Sequence, residues 1–178
     1  ISRARASGGD TWHLHNPAIE LLPHNKLDLS SSLFGAVEAG ELGLLRPILV
    51  GPKGRITALA AQHGLDISAL ELVDAAHSVD SAETAVRLAR EGKVEMLMKG
   101  SLHTDELMTA VLKRDTGLRT ARRVSHCFVM DVPGHEQALI ITDAAVNIAP
   151  TLEDKMHILQ NAIDLAHALT VDEVRVAI

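Results

Sequence analysis

Short apolar runs alternate with stretches of helical period along most of this chain, and that alternation leaves few folds open. Pro47–Val50 (PILV) is a continuous apolar strand closed by Gly51-Pro52. A helix follows with Ile56, Leu59 and Ala60 on one face, stopped by Gly64, and Leu70–Val73 reads as the next short strand. Asp80-Ser-Ala-Glu83 fits an N-cap with an acid three residues on, opening a helix with Ala82, Ala85, Val86 and Ala89 inward and Gly92 at its end. Val94–Met98 then reads as a buried strand running into Lys99-Gly100-Ser101, with a helix from Thr104 through Leu112. Upstream, Leu33–Leu45 has helical period, with Leu33, Val37, Leu42 and Leu44 apolar. The pattern predicts an α/β fold with a mostly parallel sheet.

The second half adds one antiparallel excursion. Val124–Val132 and Ala138–Thr142 are strands separated by Pro133-Gly134-His135-Glu136, a hairpin signal. The run ALIIT is apolar throughout and is expected to be central. Asp143–Pro150 is a polar-tipped loop, and Thr151-Leu-Glu-Asp154 opens a long helix with Leu152, Met156, Leu159, Ile163 and Ala166 on its inner face. Arg175–Ile178 reads as the start of another strand, so part of the fold is expected to lie beyond it. Residues 1–26 read as an arm or linker, docked through Trp12, Ile19 and Leu22.

Composition narrows the functional classes. Of 178 residues 47% are hydrophobic and 22% charged, which suits a globular chain. Aromatics are 2%, so Ala, Leu, Val and Ile must fill the core and stacking platforms for single-stranded nucleic acid are scarce. A net charge of −6 gives no broad basic footprint for DNA or RNA. The single cysteine, Cys127, allows no internal disulfide and no Cys-based zinc site, and it suits a reducing cytosol. No window approaches the length of a membrane-spanning helix.

Several residues can carry chemistry, each with a plainer reading beside it. Lys99-Gly100-Ser101 and the helix start at Thr104 offer an ammonium and free N–H groups to an anion. Asp105 and Glu106 already complement that helix dipole, so an ordinary turn with a surface lysine explains the stretch equally. Ser125 and His126 are neighbours on a strand and point to opposite faces, so they do not form a nucleophile–base pair, although either can line a cleft. The ten histidines show no metal-binding spacing, and no metal is expected. Asp143 and Asn147 are either site residues at a strand's carboxyl end or turn and cap residues. Lys113, Arg114, Arg119, Arg122 and Arg123 either meet a nucleotide-like phosphate or form a solvated loop.

Three ordered motifs, K-G-S-x-H-T at Lys99–Thr104, G-L-R-T…S-H-x-F-x-M from Gly117 to Met130, and T-D-A-A-V-N-I-A-P at Thr142–Pro150, resemble the phosphate acetyltransferase / phosphate butyryltransferase family. The resemblance runs from about Glu41 to Ile178 and implies transfer of a short acyl group between coenzyme A and orthophosphate. It implies coenzyme A as a substrate, no permanently bound cofactor, no metal, and no covalent acyl-enzyme as the favoured route. It also implies a three-layer fold like that of isocitrate and isopropylmalate dehydrogenases, with the active site in a cleft between two α/β domains, usually in a cytoplasmic homodimer. Residue by residue, Lys99, Gly100, Ser101, His103, Thr104 and Ser125 match positions on the phosphate or acyl phosphate side, and Asp143, Asn147 and Pro150 match a cleft loop. Met108 stands where many acetyltransferase members have arginine, and Lys99 where they often have serine, which looks like the butyryltransferase-type branch.

On this resemblance residues 27–178 are the N-terminal and central part of an acyltransferase domain, and the main catalytic residues belong to a C-terminal half beyond Ile178. The family pattern also has a first strand and turn where Leu29 runs directly into Ser30, so a missing segment is expected there. Close relatives of the branch are fused behind an enoyl-CoA hydratase-like domain, and the arm fits such a boundary. Two other classes compete: a binding or assembly module that keeps the fold without the active site, and a dehydrogenase on the same fold. The latter needs Asp-rich metal ligands that this chain does not offer.

Overall fold

In a computed structural model of the chain, residues 3–5, 12–14, 29–135 and 138–178 are described. The chain divides into two compact units, with the division between Arg119 and Thr120. Docking of the arm through Trp12, Ile19 and Leu22 lies outside what is described, as does Glu136 of the expected hairpin turn.

The first unit is built on a βαβ element. Strand β3 (Ile48–Gly51) pairs in parallel with β4 (Glu71–Asp74), from Ile48 opposite Glu71 to Gly51 opposite Asp74. (β1, Arg3–Arg5, and β2, Trp12–Leu14, form an antiparallel pair grouped with the second unit.) Helix α1 covers Leu29–Glu41 and α2 covers Lys53–Gln62. Leu33 and Val37 of α1 and Ile56 and Ala60 of α2 form a buried cluster, with Leu49 and Leu72 of the strands packed on it. The junction of Leu29 and Ser30 lies inside α1.

Helix α1 stops earlier than its apolar period predicts. Gly43 takes φ +66°, the Gly43 N–H donates to Gly40 O and the Leu44 N–H to Ala39 O. That pairing closes the helix on a left-handed residue, which glycine adopts without steric cost, and it leaves Leu42 and Leu44 exposed.

Helix α3 (Ser78–Arg90) starts ahead of the expected Asp80 cap. His77 is the N-cap: its Nδ1 accepts the Asp80 N–H at 3.2 Å, and the Asp80 carboxylate accepts the Ala76 N–H at 2.7 Å. Asp80 is therefore the acid at the third position rather than the cap. Ala82 and Val86 of α3 pack with Ala110 of α4 (Thr104–Val111) into a second cluster.

The expected strand at Val94–Met98 is absent. The segment has no ladder pairing among the described residues, and Met96 and Met98 are 73% and 67% exposed while Val94 and Leu97 are half-buried. A run of apolar residues reports a tendency to be buried; a strand also needs a neighbour for its N–H and C=O groups. Here the only pair in the unit is β3 with β4 among the described residues.

The second unit contains the predicted hairpin. Strand β5 (Cys127–Met130) pairs antiparallel with β6 (Leu139–Thr142), with Cys127 opposite Thr142 and Met130 opposite Leu139. Among the described residues β6 is not central: it pairs only with β5, and Leu139 and Ile141 are exposed. Helix α5 (Leu152–Ala168) packs against β6. Its N-cap is Thr151, whose hydroxyl accepts the Asp154 N–H while Asp154 accepts the Thr151 N–H, as predicted. Its buried line is Ile158, Ala162 and Ala166; Leu152 and Met156 are 79% and 64% exposed. Of the predicted stripe Ala166 is buried and Leu159 and Ile163 are half-buried, while its N-terminal members Leu152 and Met156 lie on the exposed side. Arg175–Ile178 is not a strand, and Val176 and Ile178 are exposed.

Candidate functional site

In the first unit the carboxyl end of β3 and the turn after β4, at Ala76 and His77, open into a cavity of about 570 Å³. Gly51, His77 and Ser81 line it from the strand ends and α3, and Lys99, Gly100, Ser101 and His103 line it from the loop before α4. The Lys99 ammonium is turned onto its own loop: Nζ donates to Leu102 O at 3.1 Å and lies 3.4 Å from Gly100 O. The lysine thus clasps two carbonyls and brings positive charge to the loop. The start of α4 already holds a carboxylate. Glu106 accepts the His103 N–H at 2.8 Å and the Ser78 hydroxyl at 2.5 Å. The serine hydrogen bond first, then the backbone N–H, keep the Glu106 carboxyl below its usual range. Glu106 lines the cavity too, so the start of α4 presents a carboxylate there beside Lys99 and the Gly100–Ser101 backbone.

In the second unit Ser125 and Cys127 line a groove of about 1020 Å³ with Met156, His157 and Asn161 of α5. His126, between them, does not line the groove and lies against Phe128, with ring centroids 4.2 Å apart and planes tilted by 60°. The strand's alternation therefore separates Ser125 from His126 as expected. Asn161 Nδ2 donates to Ser125 Oγ and to Arg123 O, each at 2.9 Å.

The basic cluster is largely engaged. Arg122 pairs with Asp164, Arg123 with Asp154 at 3.1 Å, and Lys113 with Glu83. Exposed pairs of this kind contribute little stability, about 0–1 kcal/mol each, but they direct these side chains to neighbouring carboxylates rather than outward.

Asp143 and Asn147 form a closed turn and line neither cavity. Asp143 Oδ1 accepts the N–H groups of Ala145 and Val146 at 3.2 and 3.1 Å and that of His126 at 3.3 Å. Oδ2 accepts the Asn147 N–H at 3.1 Å and its side-chain amide. Asn147 in turn donates to Val124 O at 3.0 Å and accepts from Arg123 Nε at 2.5 Å. Of the residues singled out in the sequence, Lys99, Gly100, Ser101 and His103 meet in one cavity, and Ser125 lines the other together with Arg122 and Arg123. Thr104 is the exposed first residue of α4. Sequence reasoning missed His77 and Ser81 in the first cavity and Asn161 in the second. Asn161 carried one local signal, a polar residue directly before the buried Ala162 on an amphipathic helix. Among the described residues no cluster of three or more His, Cys, Asp or Glu is placed to hold a metal ion, and no helix is long and apolar enough to cross a membrane.

Residues 77–178 match the family described as Phosphate acetyl/butaryl transferase, and the chain belongs to that family. Among its relatives is a phosphate acetyltransferase of Rhizobium meliloti, 56% identical over 162 residues, covering 91% of this chain and 51% of the relative. A phosphate butyryltransferase of Clostridium beijerinckii is 39% identical over 140 residues, covering 79% of this chain and 46% of the relative. The chain thus spans about half the length of the curated relatives it matches. The crystal structure of a branched-chain phosphotransacylase from Enterococcus faecalis V583 shares the fold, with a TM-score of 0.63 at 23% identity, covering 82% of this chain and 51% of that one.

Proposed function

We propose that the protein carrying this chain transfers a short acyl group, acetyl or butyryl, between coenzyme A and orthophosphate. Family membership is the observation that carries the reading, supported by relatives named for both acyl groups. In this reading coenzyme A is a substrate, and the Lys99–Thr104 loop supplies an ammonium, N–H groups and the Ser101 hydroxyl to the oxygens of phosphate or acyl phosphate. Ser125 offers its hydroxyl to a ligand of the same class, and the Asp143–Asn147 turn fixes the backbone beside it. The finer architecture, three layers as in isocitrate and isopropylmalate dehydrogenases, a cytoplasmic homodimer, and fusion to a hydratase-like domain, rests on the resemblance of the motifs.

The test is a thiol-release assay on the full-length gene product with acetyl-CoA and butyryl-CoA, with and without phosphate. Phosphate-dependent release is expected, and the ratio between the two substrates places the acyl preference. Release from neither, with folded protein, would refute the reading.

Lys99 separates substrate binding from loop support. Lys99→Ala is expected to raise KM for phosphate about tenfold and to leave KM for acyl-CoA within about twofold. Lys99→Met, which keeps the stem, should behave alike. Equal effects on both substrates would mean that the lysine only braces the Gly100 and Leu102 carbonyls.

A further inference from the structure

We propose that Asn161 is a positioning residue for Ser125, fixing the serine hydroxyl as an acceptor so that its hydrogen is left for an oxygen of a phosphate or acyl phosphate ligand. This rests on the reading that Ser125 meets such a ligand. The geometry determines the direction of each bond. A backbone carbonyl can only accept, so the Asn161 atom 2.9 Å from Arg123 O must be the amide nitrogen. On its other side Oδ1 lies 3.4 Å from Arg122 Nη1, which can only donate. The same amide nitrogen stands 2.9 Å from Ser125 Oγ. Its two hydrogens are therefore shared between Arg123 O and Ser125 Oγ, and Ser125 is the acceptor.

The Ser125 hydrogen then points away from Asn161. Ser125 lines the 1020 Å³ groove, so the open direction for that hydrogen is the groove itself. A hydroxyl that accepts one hydrogen bond is polarised to donate the next more strongly. Cys127, on the same face, does not compete: its thiol is 3.6 Å from Thr142 Oγ1 on β6. Asn161 is itself held by α5 and by Arg122, which pairs with Asp164 one turn further along the helix. The serine is thus oriented by a helix that begins 27 residues after it in the chain.

The test is a cycle of substitutions in the full-length protein. Asn161→Asp keeps the shape but replaces the donor by an acceptor, so the serine hydroxyl turns back toward it. KM for phosphate is expected to rise about tenfold, while KM for acyl-CoA stays within about twofold. On a Ser125→Ala background the same change should raise KM for phosphate less than about twofold, because the residue acted upon is gone. An equal effect on both backgrounds would overturn the positioning role. Asn161→Ala, which adds no charge beside Arg123 O, covers the case in which Asn161→Asp does not fold; it should raise phosphate KM about threefold with Ser125 present and leave it unchanged without. Should Ser125→Ala alone leave KM for phosphate unchanged, the ligand reading of Ser125 fails, and this proposal with it. If the native protein releases no thiol, the same variants are compared by calorimetric binding of inorganic phosphate. Coupling between the two sites there supports the positioning role apart from the reaction, and its absence overturns it.

Discussion

Replacing Gly117 by alanine is expected to destabilise the first unit by about 3 kcal/mol or more. A Cβ built on Gly117 would stand 2.3 Å from Val111 O, 2.4 Å from Lys113 O and 2.8 Å from Lys113 N. All three are backbone atoms at the end of α4, so no side-chain rotation relieves the overlap. The turn must open instead, and opening it stretches the Leu118 N–H bond to Val111 O (2.7 Å) and the Gly117 N–H bond to Lys113 O (3.1 Å). It also withdraws the Asp115 and Gly117 carbonyls from Arg90. Leu118, half-buried against the Ala82–Val86–Ala110 cluster, shifts with them. Gly92 is the control. It takes φ +68° but has open space around its missing Cβ, so Gly92→Ala should cost only about 1 kcal/mol of backbone strain. Urea unfolding followed by far-UV circular dichroism ranks the two, and hydrogen exchange at the Leu118 amide reads the turn directly. Equal losses for the two variants would show that the close approach at Gly117 relaxes at little cost.

How much of this was legible depended on whether the deciding contact was local. The β3–α2–β4 element was readable because an apolar run, a helical period and a closing glycine all lie within a few residues of what they specify. Thr151 and Asp154 were readable for the same reason. The Val94–Met98 run misled because apolar composition reports only a tendency to be buried; here the segment has neither a paired neighbour among the described residues nor full burial, Met96 and Met98 being exposed. His77 was missed as a cap because an imidazole in that role has no strong preference; only its 3.2 Å contact with Asp80 N reveals it. At the candidate site the Lys99–His103 motif marked a cavity lining. The sequence left Asp143 and Asn147 open between ligand site and turn, and the hydrogen bonds describe a turn. Asn161 carried only a weak local signal, and its partner Ser125 lies 36 residues earlier, so the pairing was not readable.

That turn carries the second large effect. Asp143→Ala is expected to destabilise the second unit by about 2–4 kcal/mol. The carboxylate is the shared acceptor for four backbone N–H groups and the Asn147 amide, and alanine leaves all of them without that acceptor, those of His126 and Asn147 in half-buried positions. Burial by itself pushes the Asp143 carboxyl up, but the Asn147 amide, followed by the N–H groups of Ala145, Val146 and His126, outweighs it and holds the pKa at about 2 against an ordinary 3.8. The sign of the pH dependence follows from that depression. Above about pH 5 the carboxylate is ionised in folded and unfolded chains alike, and its full contribution, about 1–2 kcal/mol once solvent screening is allowed for, is present. As pH falls from 5 toward 2 the unfolded chain takes up a proton that the folded turn still refuses, so this stabilisation is lost progressively. Asp143→Asn removes the titration and keeps the shape, but sets an amide donor against N–H donors. Its stability should be lower than that of the native chain at neutral pH and should converge on it toward pH 2. Denaturant midpoints of the two proteins between pH 2 and pH 7 measure this difference. Parallel curves, offset by a constant amount across the whole range, would mean that the charge of Asp143 does not hold the turn.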